Sequence, residues 1–202
     1  MRNIVLLAAL SLVGCGTFEA PKKFDAIEYN YSVLSSVSAT RAIHLCGDVD
    51  HQTEFKQFAS ELNTHTLTLA EYEAHHSSNK EASASINQLR NLVNSFIVQG
   101  TYSEQYCKHK LSSIQSASRT IAISLSDSEK IDLCLEDVTS RYQLYAASYQ
   151  LKKITKNEFM DLVEDIKRLQ AIDKNSCSIE ATKVLDKRIQ EISKAATLLL
   201  AL

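Results

Sequence analysis

The scarcity of residues that interrupt a helix constrains this fold more than any other feature of the sequence. The 202 residues include one proline, Pro21, and four glycines. Beyond Pro21 only Gly47 and Gly100 remain. Because proline and glycine are the strongest local breakers of regular structure, we expect long, uninterrupted elements between these positions.

Apolar residues recur at steps of three and four, which is the spacing of one helix face. Two such series are Ala82, Ile86, Leu89, Val93 and Phe96, and Ile131, Leu135, Val138, Tyr142, Tyr145 and Tyr149. No segment shows a sustained alternation of apolar and polar residues between turn signals, so no strand is expected. The pattern predicts an all-α protein.

Capping boxes mark where the helices begin, because a hydroxyl and a carboxylate three residues apart satisfy free backbone N–H groups. Four boxes precede apolar stripes: Ser78 with Glu81, Thr101 with Glu104, Ser126 with Glu129, and Thr155 with Glu158. A fifth, Thr68 with Glu71, suggests a break in a helix near residues 65–68. Gly47 fits the left-handed position just after a helix, and Gly100 fits another.

These signals predict helices over 23–46, 50–76, 79–99, 102–125, 128–152, 156–173 and 177–200. Short connections place consecutive helices side by side in opposite directions. The prediction is therefore an up-and-down bundle of about six to seven antiparallel helices in a single domain, residues 23–202.

The first residues have the pattern of an export signal. One basic residue, Arg2, precedes the apolar run Ile4–Leu10, which is too short for a hydrocarbon core that needs about 20 helical residues. Leu12-Val13-Gly14-Cys15 then resembles the lipobox of bacterial lipoproteins. The alternatives are an ordinary secretory signal with an incidental cysteine, and an apolar first helix that is buried.

The resemblance implies that residues 1–14 are a signal peptide, that Cys15 receives acyl chains, and that residues 15–22 form a lipidated tether. The residue after the cysteine is Gly16 and not an aspartate. In this respect the chain resembles lipoproteins of the outer membrane. The implied location is therefore the outer membrane, with the domain facing the periplasm.

Four cysteines remain after Cys15, and an even number in an exported protein predicts two disulfides. The up-and-down order places Cys46 and Cys107 at one end of the bundle, and Cys134 and Cys177 at the other. We therefore expect the pairs Cys46–Cys107 and Cys134–Cys177, because bridged Cα atoms must lie within about 7 Å. Four reduced, buried cysteines are the alternative.

The charge balance excludes one class of partner. Lys and Arg number 22 against 24 Asp and Glu, a net charge of −2. Nucleic-acid binding needs a basic surface that neutralises phosphates, so no nucleic acid is expected as a partner.

The polar residues suggest little chemistry. The cluster His44, Cys46, Asp48, Asp50 and His51 has suitable types for zinc but lacks ligand pairs on one helix face; the two aspartates suit a helix cap. Adjacent His75 and His76 point apart. Asp161 and Asp165 are expected on a solvated face among lysines. The sequence contains no nucleophile elbow, phosphate-binding loop or zinc-protease helix. We therefore expect that the protein is not an enzyme and binds no cofactor or metal.

Tyr142, Tyr145 and Tyr149 form a stripe that could line a groove for a protein partner. The same stripe continues an apolar seam, so core packing is the alternative. The leading hypothesis is a non-enzymatic, membrane-anchored envelope lipoprotein that acts as a protein-interaction, chaperone or assembly factor. The competing hypothesis is a periplasmic lipoprotein that binds a small ligand or a metal.

Overall fold

A computed structural model of the chain describes residues 25–76, 80–99, 102–126, 134–173 and 179–201. These residues form a helical bundle with no strand in the ranges given, as the periodicity predicts. The helices are α1 (Ala26–His44), α2 (Gln52–His76), α3 (Lys80–Gln99), α4 (Glu104–Ser126), α5 (Cys134–Gln150), α6 (Lys156–Asp173) and α7 (Ile179–Ala201). None of them, over the residues described, is both long and apolar enough to cross a membrane.

Asp25 and Gly47 mark the two ends of α1. Asp25 begins α1, where its Oδ1 accepts hydrogen bonds from the backbone N–H groups of Ile27 (2.8 Å) and Glu28 (3.2 Å). Gly47 follows α1 with a φ of +82°, so the predicted left-handed position is confirmed. A Cβ atom there would also lie 2.7 Å from Cγ of Glu104, which leaves room only for glycine.

The second helix is continuous, so the break expected near residues 65–68 is wrong. Threonine hydroxyls in this stretch bond back to helix carbonyls instead of capping a new start: Thr64 donates to Ser60 O and Thr66 to Leu62 O, both at 2.9 Å. Leu62 and Leu69 are buried on one side of the helix. Their packing favours a continuous α2 across the capping signal of Thr68 and Glu71.

The starts of α4 and α6 are joined by one carboxylate. The predicted box of α6 is confirmed, because Glu158 Oε2 accepts from Thr155 N–H (2.7 Å) and Thr155 Oγ1 accepts from Glu158 N–H (3.3 Å). Glu158 Oε1 accepts from Ser103 N–H at 2.9 Å. Ser103 itself caps α4 by accepting from Tyr106 N–H, two residues after the predicted cap Thr101, which lies outside the described residues.

The core divides into two apolar clusters. One fills the space among α1, α2, α3 and α4 and includes Leu169 and Ile172 from the end of α6. The other joins α5, α6 and α7 and includes Tyr106 of α4. The predicted seam of α3 is confirmed: Ala82, Ile86, Leu89, Val93 and Phe96 are all buried. Because α6 contributes to both clusters and contacts both α3 and α4, it connects the two parts.

One disulfide is present among the described side chains. Cys46, two residues after α1, is bonded to Cys107 in the first turn of α4, with 5.8 Å between Cα atoms. This is the pair that the helix order predicts. Cys134 begins α5, but its side chain and all of Cys177 lie outside the described residues, as does Cys15. The second predicted pair and the acylated cysteine therefore stay predictions.

Candidate functional site in the interfaces of α6

Four charged side chains meet in the interface between α4 and α6. Lys110 of α4 is buried completely, and its Nζ lies 2.6 Å from Oδ2 of Asp161 and 2.6 Å from Oδ2 of Asp165. Arg168 bonds to Asp165 Oδ1 at 2.7 Å. The three α6 residues are spaced four and three apart, so they share one face of that helix. Two cations and two carboxylates thus form a compact, electrically balanced network.

The network corrects the expectation that Asp161 and Asp165 are solvated. Asp165 is buried entirely, while Asp161 keeps only a little exposure. Sequence reasoning assigned them to a polar face because lysines surround them in the sequence. Their true partner, Lys110, lies about 50 positions earlier, and no local pattern indicates that pairing.

Tyr106 extends the network by one turn of α4. Its hydroxyl donates to Asp161 Oδ2 at 2.8 Å, and its ring is buried. Burial, together with this hydrogen bond to a carboxylate, raises the pKa of Tyr106 well above its usual range. The phenol therefore stays protonated and serves as a donor.

Asp165 is the titratable member of the network. Burial raises the pKa of Asp165 to about 6, although the charge of Lys110 acts in the opposite direction. The carboxylate is therefore ionised in most molecules at neutral pH and becomes protonated under mildly acidic conditions.

A second polar layer joins α4 to α5. The hydroxyls of Ser113 and Tyr145 share a hydrogen bond of 2.8 Å, and Arg141 donates to Ser113 Oγ at 3.2 Å. His109 Nε2 lies 2.9 Å from Ser148 Oγ. Burial, and then the charge of Arg141, lowers the pKa of His109, which keeps the imidazole neutral. These contacts fix the position of α5 against α4.

Each charge in the network has an opposite charge as its partner. Buried ion pairs of this kind contribute little net stability, because desolvation offsets the attraction. Loss of one partner is costly, however. The arrangement therefore acts to define how α4 and α6 align.

The three tyrosines of the proposed partner groove lie in different environments in the structure. Tyr145 is buried, with its ring 5.1 Å from the His109 ring and its hydroxyl bonded inside the protein. Tyr142 and Tyr149 are half-buried against Phe159, at ring-centre distances of 6.5 and 4.9 Å. The groove hypothesis is thus wrong for Tyr145, whose position on the inner side of α5 makes it part of the core, the alternative considered from the sequence.

A groove does occur on the other side of Phe159, between α6 and α7. Its volume is about 220 Å³, and its walls are Phe159, Met160, Val163, Glu164 and Lys167 of α6 with Ser193, Ala196, Thr197 and Leu200 of α7. Met160 is half-exposed at its edge, where Glu164 and Lys167 form an ion pair of 2.7 Å. Sequence reasoning missed this groove because its apolar residues follow the same spacing as an ordinary core seam.

The cluster considered for zinc has other roles in the structure. Cys46 is in the disulfide. Asp48 Oδ1 accepts from the backbone N–H groups of Asp50 and His51, and Asp48 Oδ2 lies 2.9 Å from His51 Nδ1. Asp48 therefore closes the turn that precedes α2, since both N–H groups belong to residues before the helix. Among the described residues, no three His, Cys, Asp or Glu side chains are arranged to hold a metal ion.

A second buried polar cluster lies between α1 and α2. Glu28 and Glu73 are only 6% and 2% exposed, and their carboxyl groups face each other. Burial, a hydrogen bond to Glu73 and the negative charges of Glu73 and Asp25 raise the pKa of Glu28 to about 8. The pair therefore retains a proton at neutral pH. No sequence signal distinguished these two glutamates from solvated ones.

Comparison of the chain with protein-family models, with curated proteins and with solved structures found no match. Its function is therefore inferred from its own residues and their geometry.

Proposed function

We propose that the chain is a bacterial envelope lipoprotein. Residues 1–14 would be removed, acyl chains on Cys15 would hold the protein in the outer membrane, and residues 15–22 would connect the anchor to a helical domain in the periplasm. The disulfide between Cys46 and Cys107 supports an exported location independently of the lipobox. Structural disulfides persist in oxidising compartments and are rare in the cytosol.

We further propose that the domain is a non-enzymatic protein-interaction or assembly factor. Support comes from the ion network, in which Lys110 and the two aspartates neutralise one another. The α6–α7 groove is smaller than the range of about 300–1,000 Å³ typical of small-molecule sites, and it suits a single apolar side chain of a protein partner. The same volume makes this groove, which is formed by described residues of α6 and α7, less suitable for a small ligand.

Two finer features of the fold belong to the proposal. The helices would alternate in direction along the chain, and Cys134 would pair with Cys177 at the end of the bundle opposite the first disulfide. Peptide mapping of the unreduced protein tests the pairing. A linked fragment containing Cys134 and Cys177 is expected, whereas a link between Cys46 and either of them would contradict the helix order.

Metabolic labelling with palmitate tests the anchor. The wild-type chain is expected to incorporate the label and to float with membranes, whereas Cys15→Ser with an ordinary secretory signal should do neither. Equal membrane association of the two proteins, without incorporation of label, would contradict the proposal.

Cross-linking in intact cells followed by affinity purification tests the partner-binding role. Met160→Glu places a charge at the edge of the α6–α7 groove and should abolish recovery of the specific partner. Leu144→Glu is the matched control, because Leu144 is 57% exposed on α5 and does not line the groove. Equal recovery with both variants would show that the groove is not the binding surface.

A further inference from the structure

The first helix has its polar and apolar sides reversed. Its inward side carries Glu28, Ser32, Ser35 and Ser38, which are buried together with the small residues Ala39 and Ala42. Its outward side carries Ile27, Leu34 and Val37, which are 43%, 43% and 40% exposed. A helix whose outer side faces water normally shows the opposite pattern.

These three apolar residues belong to one stripe, because they are spaced seven and three positions apart. The exposed positions of α1 are Ala26, Ile27, Asn30, Leu34, Val37, Arg41 and His44. None of them is acidic: Asp25 caps the helix, and Glu28 is buried. We call Ile27, Leu34, Val37 and Arg41 the outer face of α1. It is apolar over most of its length and basic towards its end.

The contrast with α3 shows that the reversal is a local property. Every member of the α3 seam, from Ala82 to Phe96, is buried, whereas the exposed positions of α3 include Asn87 and Asn94, with Ile97 as an apolar residue at 39% exposure. On α1 the neighbouring α2 and α4 cover the serine side and leave the isoleucine, leucine and valine uncovered. These three side chains are therefore open to contact with another surface.

The length of chain before α1 limits where that surface can be. Nine residues separate Cys15 from Asp25. A fully extended chain advances at most about 3.6 Å per residue, so the start of α1 lies no more than about 36 Å from the Cys15 anchor in any conformation. Among the described helices, α1 therefore has the shortest chain connection to the proposed acyl chains.

We propose that the outer face of α1 lies on the surface of the membrane that holds the Cys15 acyl chains. This inference rests on the proposed acylation of Cys15. Ile27, Leu34 and Val37 would enter the boundary between headgroups and acyl chains, and Arg41 would lie near anionic phosphates, aided by Lys22 and Lys23 before the helix. Amphipathic helices with apolar and basic residues bind interfaces in this manner.

The charge of the face suits an anionic lipid surface, and the proposed tether favours that surface over a protein groove as its occupant. An apolar strip without acids and with basic residues at its ends complements an anionic bilayer surface. The tether raises the effective concentration of that surface at α1, so a weak contact suffices. Contact along α1 would set the orientation of the whole domain and leave the α6–α7 groove available to a partner.

The sequence contains no tryptophan, which allows a direct test. Leu34→Trp introduces a single tryptophan fluorophore into the outer face at a position that is 43% exposed. The full acylated chain is reconstituted in vesicles of phosphatidylethanolamine and phosphatidylglycerol whose acyl chains carry bromine, a contact quencher. We expect Leu34→Trp to lose most of its emission and to shift it to shorter wavelengths, relative to unbrominated vesicles.

Leu144→Trp on α5 is the matched control, because Leu144 is exposed but lies outside α1. Its emission is expected to be the same in both vesicle types. Val37→Trp repeats the measurement at a second position of the face and should behave as Leu34→Trp does. Circular dichroism verifies that each variant retains the wild-type helix content.

The outcomes separate this inference from the proposed function. If the chain incorporates palmitate and floats with the vesicles, yet Leu34→Trp and Val37→Trp are not quenched, the membrane contact of α1 is overturned while the anchor stands. Equal quenching at Leu144→Trp would overturn the specific orientation. Absence of palmitate removes the anchor itself, and the inference that rests on it falls as well.

Discussion

Two helix interfaces of this protein bury ionisable side chains, and they differ in how the buried charge is compensated. Between α4 and α6, Lys110 and Arg168 neutralise Asp161 and Asp165 at distances of 2.6 to 2.7 Å. Between α1 and α2, the charges acting on Glu28 are those of Glu73 and Asp25, all of the same sign. The side chains of both interfaces are similarly buried. The α4–α6 interface is nevertheless held by ion pairs, whereas the α1–α2 interface depends on a bound proton.

The comparison shows that burial alone does not determine the effect of a charged residue on stability. In the α4–α6 network the cost of desolvation is met by opposite charges. In the α1–α2 pair it is avoided by keeping one carboxyl group neutral. The two interfaces should consequently respond differently to mutation and to pH.

The largest effect is expected from Lys110→Met in the α4–α6 network. The variant leaves two buried aspartates without their shared cation, so we expect the free energy of unfolding to fall by about 3–5 kcal/mol. Urea denaturation followed by circular dichroism measures it. Lys108→Met is the control, since Lys108 pairs with Glu104 at the surface and should change stability by less than about 1 kcal/mol. Similar losses for both variants would contradict the comparison.

A medium effect is expected from pH at the α1–α2 pair. The pKa of Glu28 is raised from 4.5 to about 8, so the folded state binds the proton more tightly than the unfolded state. The contribution of this proton to stability is therefore full below about pH 4.5 and is lost progressively as pH rises through 8. Asp165, with a pKa of about 6, contributes in the same direction but only up to that pH.

Glu28→Gln isolates this contribution, because the amide resembles the protonated carboxyl group and does not titrate. Between pH 6 and 8 the wild type should lose stability while the variant stays nearly constant, and at pH 8 the variant should be more stable by about 2 kcal/mol. Glu54→Gln, at an exposed position of α2, should follow the wild type. Parallel curves for Glu28→Gln and the wild type would sink the proposal of a shared proton.

The smallest effect is expected from Tyr106→Phe at the edge of the ion network. The variant removes one donor to Asp161 and leaves the ring in place, so stability should fall by about 1–2 kcal/mol. Tyr149→Phe is the control, because its ring also stacks in the core, on Phe159, at a partly exposed position. Thermal unfolding compares the two, and an equal or larger loss for Tyr149→Phe would contradict a specific contribution of the hydrogen bond to Asp161.

The seven helices and the α3 seam could be predicted from the sequence because spacing and capping are local signals. Thr155 with Glu158 and the left-handed Gly47 show this directly. The pairing of Cys46 with Cys107 followed from helix order. By contrast, the partners of Lys110 lie on a helix that is far away in the sequence. The residues next to Glu28 in the sequence give no indication that it is buried. The reversed polarity of α1 was also missed, because an apolar series predicts a face but not the direction in which it points.

The tight approach of Gly47 to Glu104 has an evolutionary consequence. The turn after the first helix and the opening of the fourth occupy one small volume, and the bond between Cys46 and Cys107 holds them there. A shorter residue at position 104 would relieve the crowding but not the strain of a side chain on the left-handed backbone at position 47. When sequences of relatives are compared, glycine should therefore persist at position 47 even where position 104 varies.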